Sequence, residues 1–170
     1  METCCSCLKP KAALACGLCG SDVCKSCTQI LNEEDFAYVK AIPVELAHAI
    51  FCPNCFNEKI APETAAYHET LEQAKGIIVF MKDQGKETRL IKRKQGQLKV
   101  VDCDDYDETI MRLAFQAASI GHNAIVDVDV NGRKFRHGSY QTTKFTGTAT
   151  PVTIDPRRYD SDRPHIANPN

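Results

Sequence analysis

The chain has 170 residues, of which 43% are hydrophobic and 25% are charged, and its formal net charge is −1. This balance is typical of a globular protein and excludes functions that need a strongly charged chain as a whole. No run of 18 apolar residues occurs, and Met1–Thr3 leads directly into the first cysteine. We therefore expect no membrane span, no secretory leader and a cytoplasmic location.

Ten cysteines are the most unusual feature of the composition, and eight of them form four C-x-x-C pairs separated by eight, four and twenty-four residues. The pairs are Cys4/Cys7, Cys16/Cys19, Cys24/Cys27 and Cys52/Cys55. Two intervening residues let a tight turn aim both sulfurs at one ion, at about 2.3 Å. Since cytosolic thiols stay reduced, each pair is predicted to be half of a tetrahedral site, and the chain to bind two structural Zn²⁺ ions.

Two alternatives would use the same cysteines. A disulfide cluster is disfavoured because we expect no export signal. An iron–sulfur cluster is disfavoured because its ligands usually have a tighter or less regular spacing. Cys5 and Cys103 are left over, since Cys5 in place of Cys4 would give a strained C-x-C pair.

The order of these pairs, the block from Cys16 to Cys27 and the last knuckle, Phe51-Cys52-Pro53-Asn54-Cys55-Phe56, resemble the FYVE-type zinc finger, a relative of RING and PHD fingers. The resemblance covers about a third of the chain. It implies a two-zinc cross-brace finger in which the knuckles pair crosswise. One zinc would lie on Cys4, Cys7, Cys24 and Cys27, and the other on Cys16, Cys19, Cys52 and Cys55.

The residues with which that family binds a lipid headgroup are missing. Its basic, histidine-containing run corresponds here to residues 12–15, and its two arginines to Gly17 and Ile50. None of these side chains pairs with a phosphate, so phosphoinositide membranes are disfavoured as partners. Three lysines nearby are interpreted as balancing the negative thiolate sites: Lys9, Lys11 and Lys25. A RING-type ubiquitin ligase is a further alternative, disfavoured because the histidine ligand usual there is absent.

The region after the third pair predicts short elements and then a helix. Asn32–Asp35 predicts a capped turn before a short strand or helix that Pro43 interrupts. A helix from about Glu63 to Lys75 is predicted to end at Gly76. The fold class is α+β, with a finger at 1–60, a linking helix at 61–76, a small α+β sandwich domain at 77–153 and a disordered tail at 154–170.

The second half is predicted to combine strands with one helix. Short apolar runs predict strands at Ile77–Met81, Thr88–Ile91 and Leu98–Val101. Asp105, with Glu108 three residues later, predicts a capping box at the start of an amphipathic helix that ends near Gly121 and packs on a sheet.

The last part of this half predicts a hairpin. Ala124, Val126, Val128 and Val130 are expected to share a buried face, and Asp127 and Asp129 the opposite, exposed face. Asn131-Gly132 is predicted to close the hairpin, because both positions tolerate positive φ. The return segment 134–152, rich in Thr, Tyr and Phe, predicts one long or two shorter strands.

The junction Ser119-Ile120-Gly121-His122-Asn123-Ala124-Ile125-Val126 and the late Thr146-Gly147-Thr148-Ala149 resemble the helix-to-strand junction and the terminal strand of the YbjQ-like domain, also called the heavy-metal-binding domain. The resemblance spans about Ile77 to Val152. It implies a small α+β domain, often oligomeric, without an established catalytic activity. A homo-oligomer formed through this domain is therefore one expectation.

Metal binding by the second half would need a ligand cluster, and its candidates lack ligand-pair spacing. They are Asp102, Cys103, Asp104, Asp105, His122, Asp127, Asp129 and His137. We expect Asp102–Asp105 to cap the helix, and we do not expect Cys103 to be a nucleophile because the flanking aspartates disfavour its thiolate. Lys82–Lys99 carries seven Lys or Arg and two acidic residues, and is interpreted as a solvated hairpin tip rather than a nucleic-acid site.

These features predict a non-enzymatic zinc-binding protein, an adaptor for an unidentified protein partner. Zinc with four protein ligands keeps no position for water or substrate, so we expect no catalytic residue and no small-molecule substrate. The alternatives from other classes are a module that binds phosphoinositide membranes or nucleic acid, and a RING-type ubiquitin ligase.

Overall fold

The computed structural model describes residues 3–10 and 12–158, apart from the side chains of Glu33, Glu34 and His137. Lys11 and most of the predicted tail, residues 159–170, lie outside the described residues. The chain divides into two compact units, Met1–Glu69 and Thr70–Asn170. Helices and strands are both present, which confirms the α+β class. Among the described residues, no helix combines the length and apolar character that crossing a membrane requires.

The first unit contains four strands of two residues each. They are β1 Leu14–Ala15, β2 Asp22–Val23, β3 Gln29–Ile30 and β4 Ile50–Phe51. β1 pairs antiparallel with β2, and β3 with β4. The long gap before the last cysteine pair holds two 3-10 helices, Glu33–Phe36 and Val44–Leu46. The predicted capped turn is present there, since the Asn32 N–H donates to the Asp35 carboxylate at 2.9 Å.

A helical segment closes the first unit and continues into the second. Helix α1, Pro53–Cys55, begins in the last knuckle and is followed by a π-helical turn, Phe56–Ile60, and by helix α2, Ala61–Lys75. The helical segment begins earlier than predicted, at Pro53, whose missing N–H costs nothing in a first turn. It ends where predicted, with the Gly76 N–H donating to the Gln73 carbonyl.

The second unit is a four-stranded sheet covered by one helix. Its elements are β5 Ile78–Met81, β6 Leu98–Cys103, α3 Tyr106–Ser119, β7 Ala124–His137 and β8 Tyr140–Val152. The strand order is β5-β7-β8-β6, with β5 parallel to β7 and the other pairs antiparallel. Helix α3 packs on β6, β7 and β8, as predicted for the amphipathic helix.

The start of α3 follows the predicted capping pattern. The Glu108 N–H donates to the Asp105 carboxylate at 2.6 Å, and the Glu108 carboxylate accepts from the Asp104 N–H at 2.7 Å. On the sheet beneath α3, Gly147 allows the helix to approach closely: a Cβ there would lie 2.5 Å from Thr109 Cγ2 and 3.0 Å from Leu113 Cδ1.

The prediction of a strand at Thr88–Ile91 is wrong. This segment forms turns, in which the side chains of Thr88 and Ile91 are buried. Ile91 belongs to a buried cluster with Phe80, Ala124, Val126, Val152 and Ile154. Ile91 therefore packs on the sheet, so the segment covers the sheet instead of extending it, which short-range pattern alone does not reveal.

The prediction that Ala124, Val126, Val128 and Val130 share one face is also wrong. β7 has a bulge between Val126 and Asp129, and Asp127 there has φ of 54°. Val126 lies opposite Thr150, whereas Val130 lies opposite Gly147. Because directly opposed residues share a face and β8 alternates regularly, the bulge places Val130 on the face opposite to Val126.

The hairpin turn does not lie at Asn131-Gly132. Both residues are inside the ladder, where Gly132 is opposite Phe145, and the turn lies at Gly138-Ser139, between His137 and Tyr140. Gly138 has φ of 59°, which fits a type II′ turn. Gly132 instead allows close packing: a Cβ there would lie 3.0 Å from the Phe145 ring.

The described residues after β8 continue the fold of the second unit. Ile154 is buried, and it exchanges two hydrogen bonds of 2.9 Å with the Asn123 amide. A 3-10 helix at Pro156–Arg158 follows. The ordered chain therefore extends past residue 153, the predicted end of the domain.

Candidate metal centres

The eight paired cysteines lie in two groups of four. The first tetrad is Cys4, Cys7, Cys24 and Cys27, and the second is Cys16, Cys19, Cys52 and Cys55. Within each tetrad the four sulfurs lie within 4.8 Å of one another. This is the crosswise arrangement implied by the resemblance to FYVE-type fingers.

All four C-x-x-C knuckles are closed by the same backbone hydrogen bond. In each, the N–H four residues after the first cysteine donates to the carbonyl of that cysteine, at 2.9 to 3.0 Å. The donors are Leu8, Gly20, Thr28 and Phe56. Leu8 and Gly20 have φ of 59° and 69°, and the leucine adopts this conformation at a cost of about 1 kcal/mol.

Backbone hydrogen bonds between distant segments explain why the knuckles pair crosswise. The Cys5 N–H donates to the Asp22 carbonyl at 2.8 Å, which links the first knuckle to β2, directly before the third. The Gly17 N–H donates to the Ile50 carbonyl at 2.9 Å, which links the second knuckle to β4, directly before the fourth. The four short strands thus position the cysteines.

The sulfur geometry fits a single tetrahedral ion in each tetrad. Four metal–sulfur bonds of about 2.3 Å place neighbouring sulfurs about 3.8 Å apart. Cys7 Sγ and Cys24 Sγ are 3.7 Å apart, and Cys19 Sγ and Cys52 Sγ are 3.8 Å apart. A disulfide needs about 2.05 Å, and all ten cysteines are free thiols. Each tetrad is therefore positioned to hold a metal ion.

The thiols of the first tetrad differ in acidity. The N–H groups of Cys7, Cys24 and Ser6 hydrogen-bond Cys4 and lower its pKa to about 6. The side chains of Cys24 and Cys7 hydrogen-bond Cys27 and raise its pKa to about 12. One thiolate forms easily here, but four clustered thiolates repel one another, so complete ionisation requires a cation.

The second tetrad shows the same contrast. Burial opposes ionisation of Cys16, but N–H groups of Cys19, Cys52 and Leu18 outweigh it and lower the pKa to about 6. Burial, together with the side chains of Cys19 and Cys52, raises the pKa of Cys55. A hydrogen bond from the Ser21 side chain also lowers the pKa of Cys19. Each tetrad therefore combines thiols that ionise readily with thiols whose ionisation is opposed until a cation is present.

The two leftover cysteines remain outside the tetrads. Cys5 as a residue is exposed, but partial desolvation of its sulfur, together with its interaction with Cys52, raises its pKa. Cys103 is buried in β6, and this burial raises its pKa. Neither has the acidic thiolate of a reactive cysteine.

The position after Cys16 leaves no room for the arginine that FYVE-type fingers carry there. A Cβ on Gly17 would lie 2.5 Å from Cβ and Cγ of His48. The histidine packs directly on this glycine, so the space of a phosphate-binding side chain is already filled. Close packing of His48 on Gly17 therefore excludes an arginine at this position.

The candidate ligands of the second unit do not form a metal site within the described residues. Asp105 caps α3, as expected, and Asp104 forms an ion pair with Lys144 that lowers the pKa of Asp104. His122 Nδ1 lies 2.9 Å from Thr153 Oγ1. The side chain of His137 lies outside the described residues.

The two strand aspartates, expected to face solvent, each pair with a basic residue. Asp127 forms two hydrogen bonds with the Arg93 guanidinium, at 2.5 and 2.8 Å, and Asp129 pairs with Lys82 at 3.1 Å. Arg93 also donates to the carbonyls of Thr88 and Ile91. Arg93 therefore connects residues 88–91, the segment that covers the sheet, to Asp127 of β7. Its place in a run of cations did not predict this role.

Comparison of the whole chain with family models, with curated proteins and with solved structures gives no match.

Proposed function

We propose that this protein is a non-enzymatic zinc-binding protein whose FYVE- or RING-like finger acts as an adaptor that binds a protein partner. The observation that carries the proposal is the pair of all-cysteine tetrads. Zinc is the ion that most often occupies four tetrahedral thiolates in a structural role. In a four-iron cluster each thiolate binds a different iron, which spreads the sulfurs further apart than 4.8 Å.

The donor count supports a structural rather than a catalytic zinc. Catalytic zinc sites have three protein ligands and one position for water or substrate, whereas each tetrad supplies four sulfurs. The ion then stabilises the finger, which has only a small core of its own, including Val23, Phe51 and Ile60.

A groove in the finger supports the adaptor role. Leu31, Phe36, Ile42 and Leu46 line a cavity of about 230 Å³ together with Asn32 and residues 47–49. The same segments expose Ile42 and, strongly, Val44, which is 79% exposed. Exposed apolar side chains around an apolar groove are typical of a surface that receives apolar side chains of another protein.

Affinity capture with the full-length, zinc-loaded chain tests this function. We expect the wild-type protein to retain a partner that the double variant Ile42→Asp, Val44→Asp does not retain. The matched control is Leu90→Asp, which alters an apolar side chain that is 91% exposed in the other unit. Zinc content equal to wild type shows that the finger variant is folded.

Two results would overturn the proposal. One is a retained partner whose binding is unchanged in the groove variant and lost in the Leu90 variant. The other is ubiquitin transfer from a loaded conjugating enzyme, because a ligase would make the protein catalytic.

A further inference from the structure

β7 and β8 continue beyond the sheet as a two-stranded ribbon. β5 pairs with β7 as far as Val128, and β6 pairs with β8 as far as Phe145. Within the described chain, the strand residues between 133 and 144 therefore pair only with each other, and the turn at Gly138 closes them. We call residues 133–144 the basic ribbon. Five residues per strand at about 3.4 Å give it a reach of about 17 Å.

The basic ribbon concentrates positive charge. It contains four Lys or Arg residues and no Asp or Glu: Arg133, Lys134, Arg136 and Lys144. The nearest acidic residues along the chain are Asp129 and Asp155. Since the whole chain carries a formal charge of −1, this local excess is not a reflection of overall composition.

The register places these cations on both faces of the ribbon. Arg133 lies directly opposite Lys144, so these two share one face. Lys134 lies opposite Thr143, and Arg136 opposite Gln141, which places both of these cations on the other face. The three cations on β7, Arg133, Lys134 and Arg136, are all exposed.

Little within the described residues neutralises this charge. Lys144 pairs with Asp104, and the Arg133 guanidinium lies 5.4 Å from the centre of the Phe135 ring. The ion pairs of the described chain include neither Lys134 nor Arg136. The cations of the ribbon that have no acidic partner among the described residues are therefore Arg133, Lys134 and Arg136.

We propose that the basic ribbon binds double-stranded DNA by entering its major groove. That groove is about 12 Å wide and 8.5 Å deep, so it admits a two-stranded ribbon, and the reach of about 17 Å exceeds its depth. Phosphates line both walls, which gives the cations on each face a partner. A single strand would engage one face only, and pairing with the ribbon of a second copy would bring like charges together.

Fluorescence anisotropy of a labelled 20-base-pair duplex, titrated with the full-length zinc-loaded chain, tests the proposal. With three phosphates neutralised, we expect the association constant to fall about 20-fold between 50 and 150 mM salt. The triple variant Arg133→Ala, Lys134→Ala, Arg136→Ala is expected to lose this binding and its salt dependence. The control Arg89→Ala, Lys92→Ala, Lys94→Ala removes the same charge from exposed positions outside the ribbon, and is expected to bind within twofold of wild type.

Four results would overturn the proposal: no duplex binding at 50 mM salt, equal losses in the two triple variants, tighter binding of a single strand of the same sequence, or a ribbon variant that changes only the oligomeric mass. Tyr140→Ala adds a check, since its exposed ring, 79% accessible, would dominate stacking on a single strand. None of these outcomes depends on whether the finger binds a protein partner.

Discussion

The described strands of the first unit have two residues each, whereas those of the second unit have between four and fourteen. The first unit brings eight thiols together around a small apolar core. The second buries apolar residues on both faces of its sheet, with Leu113 of α3 on one face and Ile91 of the covering segment on the other. The tetrads are therefore positioned to supply, through metal coordination, the stability that hydrophobic burial supplies in the other unit.

The largest expected difference between the units is their response to metal removal. Structural zinc contributes about 10–16 kcal/mol to the folding of small fingers, so a strong chelator, or Cys7→Ser with Cys19→Ser, is expected to unfold the first unit alone. Hydrogen exchange would show lost amide protection across residues 14–60 and retained protection across 124–152. Cys5→Ser is the control and leaves the pattern unchanged. If the amides of the finger stayed protected after chelation, metal coordination would not be what stabilises the first unit.

A core substitution in the second unit should produce the opposite pattern. Gly147→Ala forces a Cβ against Thr109 and Leu113, and overpacking of this kind costs about 1–3 kcal/mol. Thermal unfolding should show a lower melting temperature for the second unit at unchanged zinc content. Gly96→Ala, whose Cβ would meet nothing within 4 Å, is the control, and an equal loss in both variants would refute the close-packing explanation.

Acid should weaken the second unit through the ion pair of Asp127 and Arg93. The guanidinium lowers the pKa of Asp127, so this stabilisation is complete above the unfolded-state pKa of about 3.9 and is lost as the pH falls through the lower folded-state value. Asp127→Asn should lower the free energy of unfolding by about 1–2 kcal/mol at pH 7. It should also abolish the loss of stability that this ion pair causes below about pH 4.

Asp129→Asn is the control for that experiment. Its partner Lys82 is largely exposed, so the pair contributes about 1 kcal/mol at most. Urea unfolding of the second unit at several pH values provides the measurement. If wild type and Asp127→Asn showed the same dependence of unfolding free energy on pH, the ion pair of Asp127 and Arg93 would not stabilise the second unit.

The smallest expected effect concerns the cap of α3. Asp105→Ala removes the acceptor of the Glu108 N–H and should cost about 1 kcal/mol. Asp107→Ala leaves this hydrogen bond intact and should change the free energy of unfolding by less than half as much. Equal costs would show that charge near the helix start, and not the cap, is responsible.

Local chemistry made parts of both units predictable. C-x-x-C spacing identified the paired cysteines, because each knuckle is closed by a hydrogen bond within five residues. Asp105 and Glu108 identified the helix start for the same reason. Spacing alone could not decide which knuckles pair, because that depends on bonds between distant segments, such as Gly17 N–H to the Ile50 carbonyl.

The errors in the second unit have a common physical cause. A bulge at Asp127 reverses the side-chain alternation, and Gly132 serves close packing with Phe145 instead of a turn. Thr88–Ile91 has the composition of a strand but covers the sheet. In each case a tertiary contact decided what the local pattern left ambiguous. The misplaced turn also concealed the basic ribbon, which exists only because the strands run on to Gly138.

Metal content measured together with sulfur coordination tests the central claim most directly. Elemental analysis of the purified full-length chain should give two zinc ions per chain, and X-ray absorption should show a shell of four sulfurs at about 2.3 Å without nitrogen or oxygen. Fewer than two bound ions, iron in place of zinc, or a nitrogen or oxygen ligand in the first shell would contradict the account.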